Sequence, residues 1–152
     1  MNLLLDTNIL VSLSKDYHLH LLDSIINRDN RLMYVSVVSI GEIRSIALQN
    51  NWGSRKWSIV YDVMKQTIAL EVSETLALTY AEIDAFSQRK HSAYSEYGFP
   101  TPRNMSKDDL WIAATAAFLG LKLITTDADF DHLHNRFFDV ERLSPTIFKA
   151  KK

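Results

Sequence analysis

Four acidic residues that lie far apart in the sequence could together bind divalent metal ions. Asp6 and Asp127 each follow a short apolar run. Glu42 and Asp109 each fall near the start of a helix-like segment. Carboxylates held close together repel one another by roughly 4 kcal/mol per pair at an effective dielectric constant near 20. A bound cation removes this repulsion, and carboxylate oxygens favour Mg²⁺ or Mn²⁺, which also accept phosphate oxygens as ligands. The four acids therefore indicate phosphodiester chemistry.

The elements that would position these acids alternate between strand and helix. Short runs of strand-forming residues predict strands at 3–5, 33–38, 67–72 and 121–125, with an edge strand at 138–143. Helical spacing of apolar residues predicts helices from about 8, 19–26, 39–50, 54–66, 73–83 and 106–119, and a short helix after 127. Parallel neighbours need crossover connections, so this alternation predicts a single α/β domain over 1–152. We expect three layers, α/β/α, around a sheet of four to five parallel strands.

This architecture would bring the four acids together. Binding sites in doubly wound parallel sheets form beyond the C-terminal strand ends, at a topological switch point. Asp6 and Asp127 lie at such ends, and the helices that carry Glu42 and Asp109 begin on the same edge. The sequence thus predicts one cluster of carboxylates there.

Two of these acids also fit a simpler role as helix caps. Glu42 stands three residues after Ser39, and Asp109 three residues after Ser106, which is the spacing of a capping box. Asp108 is an alternative to Asp109. Capping alone does not explain why two such helices should begin beside strand-end acids, so metal binding is the favoured interpretation.

The two strand-end acids, Asp6 and Asp127, differ in whether a role as a helix cap is expected. Asp127 could be the N-cap of the short helix that contains Asp129, which is itself a further candidate ligand. We expect no capping role for Asp6.

Four segments resemble the PIN domain, particularly that of bacterial VapC-type toxins. They are LLLDTNIL, SVVSIGEI, KDDLWIAATAAFLG and LITTDADF, and together they span nearly the whole chain. The resemblance implies a Mg²⁺- or Mn²⁺-dependent endoribonuclease, a homodimer, and a small antitoxin whose C-terminal segment blocks the acidic groove. By position it implies metal-binding and catalytic roles for Asp6, Glu42, Asp109 and Asp127, with Asp129 as a possible fifth ligand and Asn8 and Thr125 as supporting polar neighbours.

The segment 87–105 is predicted to be a partly irregular insert that mixes cations with aromatic residues. It contains a glycine turn signal and two of the three prolines. Bases can stack on aromatic rings while cations meet phosphates, so RNA contacts are predicted for Arg89, Lys90, Tyr94 and Arg103. A solvated or partner-binding loop is the alternative. Two His-Leu-His sequences, 18–20 and 132–134, are interpreted as solvated rather than metal-binding, because residues two apart on a helix point to different faces.

Composition limits the other classes of function. The chain has no cysteine, which excludes thiol catalysis and fits a reducing compartment, so the cytoplasm is predicted. A net charge of −1 argues against tight binding to nucleic acid through a broad basic surface. No apolar stretch approaches the length of a membrane span, and no membrane partner is predicted. Two rivals stay open: a PIN-like module that binds RNA or protein without cleavage, and an aspartyl-phosphate phosphatase or receiver protein.

Overall fold

Five parallel strands form the central sheet of the computed structural model, which describes residues 1–15 and 20–149. The strands are β1 (Leu3–Leu5), β2 (Met33–Ser36), β3 (Thr67–Leu70), β4 (Lys122–Thr125) and β5 (Val140–Arg142). Their order across the sheet is β3-β2-β1-β4-β5, and every pairing is parallel. The interpretation of His18 and the first residue of the helix predicted at 19–26 lie outside the described residues.

Within residues 1–15 and 20–149, five α-helices connect these strands. They are α1 (Thr7–Leu13), α2 (Val37–Gln49), α3 (Ser54–Lys65), α4 (Ala77–Ser87) and α5 (Lys107–Leu119). Shorter helical turns occur as a π-helical turn at Leu22–Ile26 and as 3₁₀ turns at Glu74–Leu76, Ala128–Leu133 and Pro145–Phe148. In the described part of the chain, no helix is long and apolar enough to cross a membrane.

The central strand divides the hydrophobic interior into two cores. Side chains alternate across a strand, so Leu3 and Leu5 pack into one core and Leu4 into the other. Residues of α1, α2 and α3 contribute to the first core, and residues of α4 and α5 contribute to the second. The predicted three-layer α/β/α fold is therefore confirmed, and its parallel sheet, predicted to have four to five strands, has five.

The sheet changes winding direction at β1. The chain builds β2 and β3 on one side of β1 and then returns to place β4 and β5 on the other side. Leu5 lies opposite Ile124 in the register, and the Asp6 amide continues the ladder by donating to the Ile124 carbonyl at 3.0 Å. The C-terminal ends of β1 and β4 are thus adjacent. Asp6 and Asp127 follow these two ends, at the crevice of the topological switch point.

The start of α2 differs from the prediction. The strand was expected to continue to Val38 and the helix to begin at Ser39, but the helix begins at Val37. The cause is Ser36, whose hydroxyl oxygen accepts from the Val38 amide at 3.1 Å. Ser36 therefore caps the helix in place of Ser39. The helix predicted at 73–83 instead begins at Ala77, after a 3₁₀ turn that Ser73 precedes without a side-chain capping bond.

The end of α5 and the insert follow the sequence closely. Gly120 adopts the left-handed conformation, with φ 63°, as expected for the residue that ends a helix. Between α4 and α5, residues 88–106 form neither helix nor strand. The prediction of a partly irregular insert is confirmed.

Candidate metal centre

Asp6 directly follows β1, the middle strand, at the C-terminal edge of the sheet, and it is only 2% exposed. Its Oδ1 atom accepts from the Thr7 amide at 2.8 Å, and its Oδ2 atom accepts from the Thr125 hydroxyl at 2.7 Å. The first of these bonds makes Asp6 the N-cap of α1, so the expectation that no capping role applies to it was wrong. Thr125, by contrast, contacts an acid as expected of a supporting residue.

Asp127 follows β4 and is connected to Asp6 through Thr125. The Asp127 amide donates to the Thr125 hydroxyl at 3.0 Å, so one threonine oxygen joins the two strand ends. Asp127 Oδ1 in turn accepts from the Asp129 amide at 2.9 Å, which caps the 3₁₀ turn. The predicted capping role is therefore present, and it occupies only Oδ1.

Glu42 reaches the same edge from the second turn of α2, not from the first. It is the sixth residue of that helix, which rules out the capping box that the Ser39 spacing suggested. Its Oε1 atom instead accepts from the Thr7 hydroxyl at 2.8 Å. Thr7 was not singled out from the sequence, although it is 5% exposed and links Glu42 to Asp6. The signal that identifies Thr7 is structural: its polar side chain is buried between two acids.

Asp109 enters the site from the first turn of α5. Its amide donates to the Ser106 hydroxyl at 3.1 Å, as predicted for a capped helix. Its carboxylate groups with those of Asp127 and Asp129, with one oxygen from each lying within 4.8 Å of the others. Asp108 is exposed and borders a groove with Glu42. The geometry thus places Asp109 rather than Asp108 in this trio of carboxylates.

Burial and the charges of neighbouring acids raise the pKa values of Asp6 and Asp109. Burial raises the pKa of Asp6 to about 6, with smaller contributions from the charges of Glu42 and Asp127, against the hydrogen bonds that Asp6 accepts. Burial likewise raises the pKa of Asp109 to about 7, followed by the charges of Asp6, Asp127 and Glu42. The charges of the other three predicted acids thus act on Asp109, and those of Glu42 and Asp127 act on Asp6.

Glu42 is affected in the same direction. Partial burial is the main cause that raises its pKa, and the charge of Asp108 raises it further. The hydrogen bond from Thr7 lowers it. Asn8, predicted to support the acids, is exposed and makes no hydrogen bond to them within the described residues.

The donor set of this edge suits a hard divalent cation. The trio Asp109, Asp127 and Asp129 offers three carboxylate oxygens in mutual proximity, and its members are half-buried or exposed, which leaves access from solvent. All the donors are oxygens, as Mg²⁺ and Mn²⁺ prefer, and a cation would offset the repulsion that raises the pKa of Asp109. Asp6 and Glu42 lie outside the trio: Thr125 connects Asp6 to Asp127, and Thr7 connects Glu42 to Asp6.

The aromatic side chains of the insert pack against α4. The ring of Tyr94 contacts Phe86 at a centroid distance of 4.7 Å, and the Phe99 ring contacts it at 5.5 Å. Arg89 is exposed and stacks over the Tyr97 ring at 5.4 Å. RNA contacts by Arg89 and Tyr94 stay predictions, as do those of exposed Lys90 and half-buried Arg103.

The two C-terminal histidines are not simply solvated. The His132 ring is half-buried, with its Nε2 atom 2.7 Å from the Ser87 hydroxyl. Burial, together with the charge of Arg103, lowers its pKa to about 4, so it is neutral near pH 7. His134 is exposed, but its Nδ1 atom accepts from the Val140 amide at 2.9 Å. Both side chains have structural roles that the sequence pattern did not indicate.

The metal-free protein should lose stability as the pH rises through the raised pKa values. Between about pH 4 and 7 the folded state keeps a proton on Asp109 that the unfolded chain has released, so the free energy of unfolding falls as pH increases. Asp109→Asn cannot ionise and lacks this loss. After allowance for partial exposure, we expect the variant to gain about 1 kcal/mol on wild type between pH 5 and pH 8, or about 2–4 °C in Tm.

Thermal unfolding in EDTA, followed by circular dichroism, measures this difference. Parallel pH profiles for wild type and Asp109→Asn would contradict the raised pKa of Asp109.

Comparison with known proteins gives the chain a family context. A sequence model of the PIN domain matches residues 3–135. The fold is similar to a chain of VapBC2 from Rickettsia felis bound to a DNA fragment from their promoter, with a TM-score of 0.71 and 18% identity. It is also similar to a chain of DNA-bound VapBC from Salmonella typhimurium, with a TM-score of 0.69 and 21% identity. Each of these matches covers 93% of this chain and 98% of the other.

A third similar structure is VapBC-5 from Mycobacterium tuberculosis, a member of the VapBC family of toxin–antitoxin systems. Its TM-score is 0.60 at 24% identity, with 93% of this chain and 98% of that chain covered. At these identities the structural likeness shows a common fold. A search of curated proteins found no match by sequence.

Proposed function

Because the chain belongs to the PIN-domain family, we propose that it is a metal-dependent endoribonuclease and the toxin of a toxin–antitoxin pair. The observation that most supports catalysis is the convergence of carboxylates at the switch point of the sheet. Three of them lie within 4.8 Å of one another, and burial with mutual repulsion raises the pKa of Asp109 among them to about 7. Clustered carboxylates with raised pKa values are typical of a functional site rather than of a solvated surface.

Five side chains would hold the metal. They are Asp6, Glu42, Asp109, Asp127 and Asp129. A bound Mg²⁺ or Mn²⁺ would lower the pKa of an attacking water and stabilise the charge that develops on the phosphate and on the leaving oxygen.

Two threonines would orient these ligands before the metal arrives. The Thr7 hydroxyl donates to Glu42, and the Thr125 hydroxyl donates to Asp6, so each fixes one carboxylate oxygen. The Thr7 amide holds the other oxygen of Asp6, and an ionised carboxylate has about four acceptor sites, so both acids keep sites for a metal. Hydrogen bonds of this kind hold metal ligands in place and raise affinity. Asp6 and Asp109 would lose their protons on binding, which makes metal affinity increase with pH.

An apolar groove beside the acids supports the antitoxin part of the proposal. It is about 470 Å³ in volume and is lined by Val37, Val38 and Ile46 together with Glu42 and Asp108. A partner segment with apolar side chains and one cationic group would match both its apolar lining and its acidic border. The similar structures are VapBC assemblies, which agrees with a protein partner.

A second apolar depression supports the proposed homodimer. Leu70, Leu76, Phe118 and Leu119 line it, and the two residues of α5 are about half exposed, at 50% and 47%. Large exposed apolar side chains grouped in this way are characteristic of protein–protein contacts. The cytoplasmic location stays a prediction.

Metal removal is the direct test of the catalytic proposal. The purified protein, incubated with a pool of structured and single-stranded RNAs, should cleave in Mg²⁺ or Mn²⁺ and should lose cleavage in excess EDTA. The measurement is the rate of product formation by gel electrophoresis, with restoration by added Mn²⁺ as the control for irreversible damage.

Two results would go against the proposal. Cleavage that continues unchanged in EDTA would exclude the metal mechanism. Calorimetric binding of Mn²⁺ without cleavage of any RNA would instead favour the non-cleaving binding module.

A further inference from the structure

We infer that Arg103 is a positioning residue, which holds the turn that carries Asp127 and Asp129 in the geometry needed for metal binding. The inference rests on the proposed metal site and assigns to the insert a role in building it. It depends on one hydrogen bond between the insert and this turn, and on a second contact between α4 and the same turn.

The hydrogen bond places Arg103 directly on the peptide unit between the two acids. Arg103 Nη2 donates to the carbonyl oxygen of Ala128 at 3.1 Å. The amide of the same peptide unit belongs to Asp129, and it donates to Asp127 Oδ1 at 2.9 Å. A peptide unit is planar, so fixing its carbonyl also fixes the direction of its N–H group. Arg103 thereby orients the amide that holds the Asp127 carboxylate.

The backbone of Arg103 is itself anchored, so the guanidinium acts from a fixed point. Its amide donates to the Ser87 carbonyl at 2.7 Å, at the end of α4. Ser87 is fully buried, and its hydroxyl lies 2.7 Å from His132 Nε2, near the other end of the acidic turn. The insert and α4 therefore hold the turn at two positions, Ala128 and His132.

The positive charge of Arg103, acting alone, would change metal affinity in the opposite direction to positioning. A cation near a metal site repels the metal, so removing the guanidinium charge would tighten metal binding if Arg103 acted only through its field. Loss of positioning would weaken it, because outer groups that orient metal ligands typically contribute about 10- to 100-fold to affinity. The sign of the change in affinity thus separates the two effects.

The experiment compares Arg103→Met with wild type by calorimetric titration of Mn²⁺ into the metal-free protein. Methionine keeps an apolar stem of similar length and removes every donor. We expect affinity about 10-fold or more weaker for the variant. Arg136→Met is the charge-matched control, since Arg136 lies over the Phe86 ring near the same turn, and its loss should not weaken Mn²⁺ binding. Unchanged or tighter binding by Arg103→Met would overturn the inference.

A second measurement needs no metal. Hydrogen exchange at the Asp129 amide, which donates to Asp127, should be about 10-fold faster in metal-free Arg103→Met while exchange in α2 is unchanged. Wild-type exchange at Asp129 would count against the positioning role. Arg103→Lys, which retains the charge, serves if Arg103→Met does not fold: its Mn²⁺ affinity should also be weaker, because a shorter ammonium group does not reproduce the guanidinium contact. Wild-type affinity in the lysine variant would refute the proposal.

The outcomes separate this inference from the proposed function and from RNA contact. Mn²⁺ binding by wild type without RNA cleavage would remove the ribonuclease proposal and leave the positioning result intact. An effect of Arg103→Met on RNA affinity alone, with normal Mn²⁺ affinity and normal Asp129 exchange, would refute positioning and support the predicted RNA contact.

Discussion

Replacing Asp109 by asparagine is expected to lower the rate of RNA cleavage by roughly 10²- to 10³-fold, the loss typical when one group that stabilises charge in the transition state is removed. Asparagine has nearly the same size, and the bond from the residue 109 amide to the Ser106 hydroxyl is a backbone contact that the substitution leaves in place. The change therefore removes a charge among Asp6, Asp127 and Glu42 without removing the helix cap. Single-turnover rates in saturating Mg²⁺ measure the loss.

Asp108→Asn is the matched control for this prediction. It removes the same charge one residue earlier in α5, from an exposed side chain that borders the neighbouring groove. We expect a far smaller effect on the rate. If Asp108→Asn were the more damaging change, it would identify Asp108 as the ligand, and equal losses would point to the charge at the start of α5 rather than to a specific ligand.

Replacing Phe86 by alanine is expected to reduce the free energy of unfolding by about 3–5 kcal/mol, which corresponds to a fall in Tm on the order of 10 °C. Phe86 is fully buried, and the rings of Tyr94, Tyr97, Phe99 and Phe137 lie within 5.5 Å of it, centroid to centroid. The cavity would open where the insert meets α4. Urea unfolding, followed by circular dichroism, measures the change.

Leu78→Ala on the same helix is the comparison. Leu78 is 71% exposed, so its truncation should change stability by no more than about 0.5 kcal/mol. A loss for Phe86→Ala as small as that for Leu78→Ala would show that the insert does not pack on α4 as described.

The strand-end acids were predictable from the sequence because their positions follow from simple rules. Apolar runs define where β1 and β4 end, and parallel strands place those ends on one edge of the sheet. Asp6 and Asp127 follow at once from this. A capping bond does not distinguish a structural acid from a candidate metal ligand here, since Asp6 and Asp127 each cap a helix and also lie among the converging carboxylates.

The start of α2 was harder to predict, since it depends on tertiary structure. Ser36 and Ser39 are three residues apart, and either could cap a helix. Ser36 still pairs with β3 opposite Leu70 before the chain leaves the sheet, so the sheet register decides between them. Glu42 consequently contacts Thr7 from the second turn, a contact that spans 35 residues and leaves no local pattern in the sequence.

The packing of the insert could not be read from the sequence for a similar reason. Its aromatic residues have neither helical nor strand periodicity, so their partners are not implied by their spacing. Their common contact is Phe86 on α4, and Phe137 joins from well beyond α5. The role of His132 against Ser87 depends on the same assembly.

The hydrogen bond between Thr125 and Asp6 also sets an order in time. The two residues are 119 positions apart, and β1 has no neighbour on one of its edges until β4 is present. During synthesis from the N-terminus, Asp6 and Glu42 emerge long before Asp109, Asp127 and Asp129. The acidic centre therefore cannot assemble on a nascent chain until residues 125–129 have been made, and a product truncated before residue 109 would carry only Asp6 and Glu42 of the five acids.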